Sequence, residues 1–211
     1  MDADFWYRRW AKNEIAFHES EPNTLLVKYF NALSIEKSSR VFLPLCGKTT
    51  DIAWLLAKGY RVAGIDLSEI AIRQLFMDLG VEPRVSGTGK LKCYSIENVD
   101  IFVGDFFDLT SNILGPVDAT YDRAALVALP EDMRSKYTEH LIEITNKAPQ
   151  FLLCFEYDQR LMEGPPFSVG KKEVERHYED HYELNLVASI DVPGGLKGKC
   201  VANENAWLLQ N

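Results

Sequence analysis

The chemistry of this 211-residue chain centres on one glycine, one acid and one arginine. Leu43-Pro44-Leu45-Cys46-Gly47-Lys48-Thr49-Thr50-Asp51 closes a short apolar run, and Gly47 lets the backbone pass close to a ligand. Nineteen residues after Gly47, at the end of a second apolar run, stands Asp66, whose carboxylate can accept hydrogen bonds from both hydroxyls of a ribose. The same position also suits an exposed strand-end acid that caps the next helix. Gly47-Lys48-Thr49 imitates the end of a phosphate-binding P-loop, but that loop needs a glycine where Phe42 stands. A dinucleotide turn needs three spaced glycines, and only Gly47 is present here. An adenosine cofactor without a pyrophosphate fits better, and S-adenosylmethionine is such a cofactor. In Val103-Gly104-Asp105-Phe106-Phe107-Asp108, Asp105 lies beside two aromatics where an adenine would sit. Phe106 or Phe107 could equally close the edge of a sheet.

Arg123 offers a planar fork for an anionic acceptor or a cofactor carboxylate, or else a salt bridge to Asp122 or another acid. Trp6 and Trp10 fall at i and i+4 on one helical face, a spacing that serves either core packing or a lid whose ring faces a sulfonium. His18 suits a proton acceptor at a pocket mouth or a surface cap. His177 and His181 are four apart, but Tyr178 stands where a zincin helix has Glu, so a charged, solvated helix face is expected and no metal. The four cysteines (Cys46, Cys93, Cys154, Cys200) form no C-x-x-C pair, and Cys154 within Phe151–Phe155 reads as a small buried hydrophobe.

The elements that position these residues alternate. Arg40–Leu45 reads as a strand, Thr50–Lys58 as a helix and Arg61–Ile65 as a second strand, which together make a βαβ unit. A helix from Ser68 to Leu79, a strand at Val99–Val103, a strand near Asp118–Tyr121, a helix from Glu131 to Asn146 and a strand at Gln150–Phe155 follow. Five such steps predict an α/β fold with a doubly wound, mostly parallel sheet. Helical spacing also covers residues 2–14 and 23–33, and a helix is expected around Lys171–Asp180. Tyr182–Val192 and Lys199–Leu209 flank Pro193-Gly194-Gly195 as a C-terminal antiparallel hairpin, and residues 81–95 read as an irregular insertion. No repeat or linker interrupts the chain, so residues 1–211 are expected to form one domain.

Thirty-one acids against 23 Lys plus Arg give a formal charge of −8, and basic residues cluster no further than pairs such as Lys171-Lys172. A general nucleic-acid binder is thereby excluded, because phosphate neutralisation needs concentrated positive charge. No apolar run reaches the roughly 18–20 residues of a membrane span, so no membrane partner is expected. The acidic start Met1-Asp2-Ala3-Asp4 lacks the basic and apolar regions of a signal peptide, so a cytoplasmic protein is expected.

Six stretches together resemble the thiopurine S-methyltransferase family in its shorter bacterial form: Trp6-x-x-x-Trp10, Ala16-Phe17-His18, Leu43–Lys48, Gly64-Ile65-Asp66-Leu67-Ser68, Asp122-Arg123-Ala124-Ala125-Leu126-Val127-Ala128-Leu129-Pro130 and Gly164-Pro165-Pro166-Phe167. The resemblance implies a seven-stranded Rossmann-like methyltransferase sheet, with residues 1–37 as an N-terminal helical lid on a core of 38–211. It also implies a monomer that uses S-adenosylmethionine to methylate a small aromatic or heterocyclic thiol, such as a thiopurine, by in-line displacement. By position, Trp10, Leu45, Asp66 and Arg123 match cofactor-binding residues, with Phe106 in the adenine segment, and the reading of the residues themselves adds Gly47 and Asp105 to the expected cofactor site. Phe17, Arg123, Pro166 and Lys197 fall on the acceptor side. Many relatives have Glu in place of Asp66, and some use an arginine where the late loop here carries Lys197 and Lys199. An acidic thiol is already largely ionised near neutral pH, so no general base is obligatory and Arg123 is the expected positioning group. Selenium or tellurium species and halides are alternative acceptors. Rival readings of another class are a small-molecule kinase or NTPase built on Gly47-Lys48-Thr49, and a non-catalytic cofactor sensor.

Overall fold

Strand β1 (Arg40–Leu43) divides the core in four residues: Val41 and Leu43 enter one apolar cluster and Phe42 the other. Successive strand side chains point to opposite faces, so a strand apolar at every position is covered on both. The computed structural model describes residues 3–15 and 18–211. Among them nine strands form one sheet: β1, β2 (Arg61–Asp66), β3 (Arg84–Thr88), β4 (Leu91–Ile96), β5 (Val99–Val103), β6 (Ala119–Arg123), β7 (Gln150–Tyr157), β8 (Glu183–Asp191) and β9 (Ala202–Gln210). Their order is β3-β4-β5-β2-β1-β6-β7-β9-β8. The central five, β5-β2-β1-β6-β7, run parallel, and the pairs outside them are antiparallel.

Helices cover the two faces separately. Leu25 and Leu26 of α2 (Thr24–Tyr29), Ile52 and Leu55 of α3 (Asp51–Ala57) and Ile72 and Leu75 of α4 (Glu69–Asp78) pack with Val41 and Leu43. Leu114 of α5 (Ser111–Leu114), Tyr137 and Leu141 of α6 (Glu131–Ile144) and Val174 of α7 (Lys171–Tyr178) pack with Phe42. Trp10, in the N-terminal helix α1 (Ala3–Ala11), joins the first cluster. Side-chain caps fix the helix starts, with Asn23 accepting from the Leu25 and Leu26 amides and Ser68 from that of Ala71. Because the chain leaves β1 for β2 and later returns to β6 on its other side, the carboxyl ends of β1 and β6 bound the crevice where open sheets bind ligands.

The nine strands correct the expected seven, and the difference lies in the segment read as an irregular insertion. Arg84–Thr88 and Leu91–Ile96 form an antiparallel hairpin on the β5 edge. Its two-residue turn is Gly89-Lys90, with Gly89 at φ 60°, so the glycine is the turn that makes the hairpin rather than a break in it. Leu91 and Cys93 bury in the second core, while Glu69 at the start of α4 accepts from Tyr94 Oη and Lys92 Nζ at 2.6 Å each. The helix expected over 23–33 ends its α geometry at Tyr29 and tightens to a 3-10 turn over Phe30–Leu33, where fully buried Phe30 meets Trp54, Tyr60, Tyr121 and Phe151 edge-on. Helix α7 stops at Tyr178, so His181 lies beyond it, and His177 packs inward against Thr138 and Glu173 rather than lining a solvated face.

Gly104, directly after β5, donates its N–H to the Asp66 carbonyl at 3.0 Å with φ +145°, and a Cβ there would lie 2.5 Å from Leu91 Cδ2. Gly104→Ala should therefore lower the unfolding free energy by about 2–4 kcal/mol, through strain and overpacking together, in chemical denaturation. A loss under about 0.5 kcal/mol would show that β5 and β4 are not locked in this way.

Candidate active site

Beyond β1 the chain must turn sharply, and Leu45 (φ 46°) and Gly47 (φ 52°) both take left-handed conformations to do it. The turn is fastened to β2 by two amides: Cys46 donates to the Ile65 carbonyl at 2.9 Å, and Gly47 to Asp66 Oδ2 at 2.8 Å. Asp66 Oδ1 accepts from the Ser68 amide, also at 2.8 Å. Asp66 is 8% exposed, which corrects the reading of it as an exposed cap; the cap of α4 is the Ser68 hydroxyl. Burial pushes the Asp66 carboxyl up to about 6, while the Ser68 and Gly47 amides pull the other way. Each oxygen keeps a lone pair for a further donor.

Trp10 closes this turn from above. A Cβ on Gly47 would stand 3.1 Å from Trp10 Cζ2 and 4.0 Å from Asp66 Oδ2, so ring, glycine and carboxylate share one small space that a side chain at 47 would fill. Gly64 is similarly constrained, its missing Cβ lying 3.0 Å from Cys46 Sγ. The structure thus brings Trp10, Gly47 and Asp66 together, with Leu45 half-buried beside them. Lys48 turns away and pairs with Asp78 at 3.3 Å.

Asp105 is exposed, and its carboxylate accepts from the Phe107 amide at 2.9 Å, capping a 3-10 turn. Phe106 is 4% exposed, its ring 5.0 Å from Tyr137 and 5.1 Å from His140, so that side chain is committed to the second core. A planar ligand would meet the backbone of this segment and half-buried Phe107, over which Lys136 Nζ sits at 4.2 Å.

On β6, Tyr121 and Arg123 share one face and Asp122 points to the other. Fully buried Asp122 accepts from Tyr137 Oη at 2.6 Å and the Leu126 amide at 3.1 Å, so it is not the partner of Arg123. That partner is Glu19, 2.7 Å from Nη2. Burial opposes the charge of Arg123, but Tyr121, Glu19, Asp51 and Glu204 outweigh it and raise its pKa above the ordinary value. These groups are linked: Asp51 accepts from the Asn23 amide at 2.8 Å and from Tyr121 Oη at 3.0 Å, and Asn23 Nδ2 donates to Glu204 at 3.1 Å. Sequence reasoning missed Glu19, Asn23, Asp51 and Glu204. The only local signals were the cap before Thr24 and the acid opening α3.

Phe17 lies outside the described residues. His18 has its pKa lowered, first by burial and then by Lys48, which favours neutral imidazole. Phe167 donates its amide to the Val127 carbonyl at 2.6 Å, drawing the Gly164–Phe167 loop over the turn after Arg123. In that loop the Pro166 carbonyl accepts from Tyr157 Oη at 2.7 Å and the Pro165 carbonyl from Lys197 Nζ at 2.6 Å, which brings Pro166 and Lys197 to one rim. Among the described residues no group of three His, Cys, Asp or Glu side chains could hold a metal, and no helix is long and apolar enough to cross a membrane.

The thiopurine S-methyltransferase family model matches residues 1–207. A thiopurine S-methyltransferase of Xanthobacter autotrophicus is 53% identical over 211 residues, covering 100% of this chain and 99% of that protein. One from Teredinibacter turnerae is 50% identical over 209 residues, covering 99% and 97%. Among solved structures, the Burkholderia thailandensis 1,6-didemethyltoxoflavin-N1-methyltransferase, with bound 1,6-didemethyltoxoflavin and S-adenosylhomocysteine, aligns at TM-score 0.65 and 15% identity over 99% of this chain and 87% of that one. The Synechocystis magnesium protoporphyrin IX methyltransferase with bound S-adenosylhomocysteine aligns at TM-score 0.65 and 12% identity over the whole of both chains. At these identities the two structures share the fold.

Asp66 generates a pH signature. Its folded-state pKa of about 6 exceeds the unfolded value near 3.9, so between those limits the folded protein binds more protons and stability falls as pH rises. Asp66→Asn should flatten that decline between about pH 4 and 6.5 in denaturant titrations of the ligand-free protein. Superimposable pH profiles would mean that the carboxyl is not raised by burial.

Proposed function

Because the chain belongs to the thiopurine S-methyltransferase family, we propose that it is an S-adenosylmethionine-dependent transferase that methylates the sulfur of small aromatic or heterocyclic thiols, thiopurines among them. The observation that carries this is the cradle of Trp10, Gly47 and Asp66. It combines a bare backbone, a buried carboxylate and an aromatic ring that a Cβ on Gly47 would approach to 3.1 Å. Those features fit a ribose and a sulfonium, and they leave no phosphate cradle. S-adenosylmethionine, when bound, supplies a methyl group already activated on sulfur.

The protein's own work is to bind, orient and exclude water. Asp66 accepts ribose hydroxyls, and the shorter arm compared with Glu is set by its ties to Gly47 and Ser68. Leu45 and Gly47 shape the wall of the turn, while the Asp105–Phe107 segment borders the adenine. Arg123 releases Glu19 and takes an incoming anion, either the cofactor carboxylate or the thiolate, with its planar fork. Residues 1–37 act as a lid over a core of 38–211, and Pro166 and Lys197 line the acceptor side. The protein works as a cytoplasmic monomer with no nucleic-acid or membrane partner.

Methyl transfer from labelled S-adenosylmethionine to mercaptopurine and a panel of thiols, selenite and halides tests this reading. Label on sulfur with release of S-adenosylhomocysteine is expected. Thermal protection by ATP and magnesium but not by S-adenosylmethionine would favour the kinase alternative, and binding without any product would favour a sensor. Asp66→Ala should weaken calorimetric affinity for S-adenosylmethionine by about 1–3 kcal/mol, the scale of lost charge-assisted hydrogen bonds; unchanged affinity refutes the ribose role. Arg123→Ala should cut kcat/KM by about 10-fold or more and Arg123→Lys should restore little of it, because the fork is lost in both. Full rescue by lysine would reduce Arg123 to a point charge.

A further inference from the structure

A cavity of about 330 Å³ lies between α1, the Leu161–Pro165 segment and the loop joining β8 to β9. Three cations line it, Arg9 from α1 and Lys197 and Lys199 from the loop, together with one acid, Glu163. Among the described residues none of the three cations comes within 4.0 Å of a carboxylate oxygen, although the chain carries a net charge of −8. Among the described residues Arg9 Nε is buried without a hydrogen-bond acceptor, and the Arg9 guanidinium makes a 3.5 Å contact to the Glu14 carbonyl and a stack over Phe5. Burial, then Arg9 and Lys199, push the pKa of Lys197 down, and its ammonium has the Pro165 carbonyl at 2.6 Å but, among the described residues, no carboxylate to offset the three like charges. A protein rich in acids that gathers three cations round one cavity with no carboxylate partner among the described residues spends stability on a local positive field, and such fields draw in anions.

The loop that carries two of the three cations is packed at its base. Leu196 and Cys200 pair across the loop, with the Leu196 amide on the Cys200 carbonyl at 2.8 Å, and both bury with Met162 in a small apolar cluster. Lys197 and Lys199 are therefore presented on a closed loop whose base is packed, which lowers the ordering cost of binding. The cavity also adjoins the candidate site on two sides. Arg9 precedes Trp10, which covers Gly47, and Pro165 belongs to the loop that Phe167 holds against Val127, four residues after Arg123.

We propose that this cavity is an anion subsite that takes a carboxylate or phosphate monoester carried by the acceptor away from its sulfur, so that the preferred substrates are thiols bearing a second negative charge. Arg9 contributes its fork and Lys197 and Lys199 their ammonium groups, and binding there also fixes α1 over the cofactor turn. The inference rests on the methyltransferase reading and specifies its substrate class.

The test compares KM and kcat for three thiols that differ in one substituent: para-mercaptobenzamide, para-mercaptobenzoate and para-mercaptophenyl phosphate. In the unaltered protein at low salt, one or both anionic thiols should show a KM at least about 5-fold below that of the amide, a gap that closes as salt is raised. In Lys199→Gln, and separately in Arg9→Gln, the KM of the preferred anion should rise by about 10-fold while the KM of the amide moves less than about 2-fold. A gap confined to the carboxylate, confined to the phosphate or shared by both identifies the anion. Equal KM values for all three thiols in the unaltered protein, or equal changes in the variants, overturn the subsite, and the first of these results needs no variant to fold. Failure to methylate even the amide would instead count against the methyltransferase reading.

Discussion

One hydrogen bond organises the upper end of this sheet: the Gly47 amide donating to buried Asp66 at 2.8 Å. The bond closes the turn after β1 onto the end of β2. It holds Gly47 in a conformation that favours glycine and leaves the space that the Trp10 ring occupies. Burying a carboxylate is costly unless donors surround it, and here two backbone amides only partly offset that cost. The residual penalty leaves Asp66 able to gain from further donors, so the same feature that strains the ligand-free fold favours a hydroxyl-rich ligand. On the proposed function, stability given up at this point would be recovered on binding.

Charge is arranged with the same economy. Arg123 sits among Glu19, Asp51 and Glu204, three acids that keep it charged without neutralising it in one fixed geometry. Of the three, only Glu19 forms the direct pair, and its side chain is 52% exposed, so it can leave without stranding a buried charge. Asp51 is tied instead to Asn23 and Tyr121, which joins α2, α3 and β6 into the platform from which Arg123 projects. On the proposed function, an anion arriving at Arg123 would displace a surface acid and leave the buried frame intact.

The sheet was legible where strand and helix alternate with clear apolar runs, because a parallel strand covered on both faces is apolar throughout, as Val41-Phe42-Leu43 is. The hairpin at 84–96 was not, since Pro83, Gly87 and Gly89 look like breakers until the register shows Gly89 turning one strand onto the next. Asp66 and Gly47 were legible because their spacing is that of consecutive strand ends. The partner of Arg123 was not: Glu19 is remote in sequence, and the adjacent acid Asp122 was the natural guess. Alternation along a strand sends Asp122 to Tyr137 on the opposite face. Arg9 carried no local signal either, and only the folded loop of Lys197 and Lys199 gives it company.

In the proposed function Trp10, Gly47 and Asp66 form one binding surface for the cofactor. Amide hydrogen exchange of the full chain with and without S-adenosylhomocysteine tests this most directly. Slowed exchange should concentrate in residues 3–11, 44–48 and 66–68. Protection elsewhere in the sheet, with these three segments unchanged at saturating ligand, would contradict it.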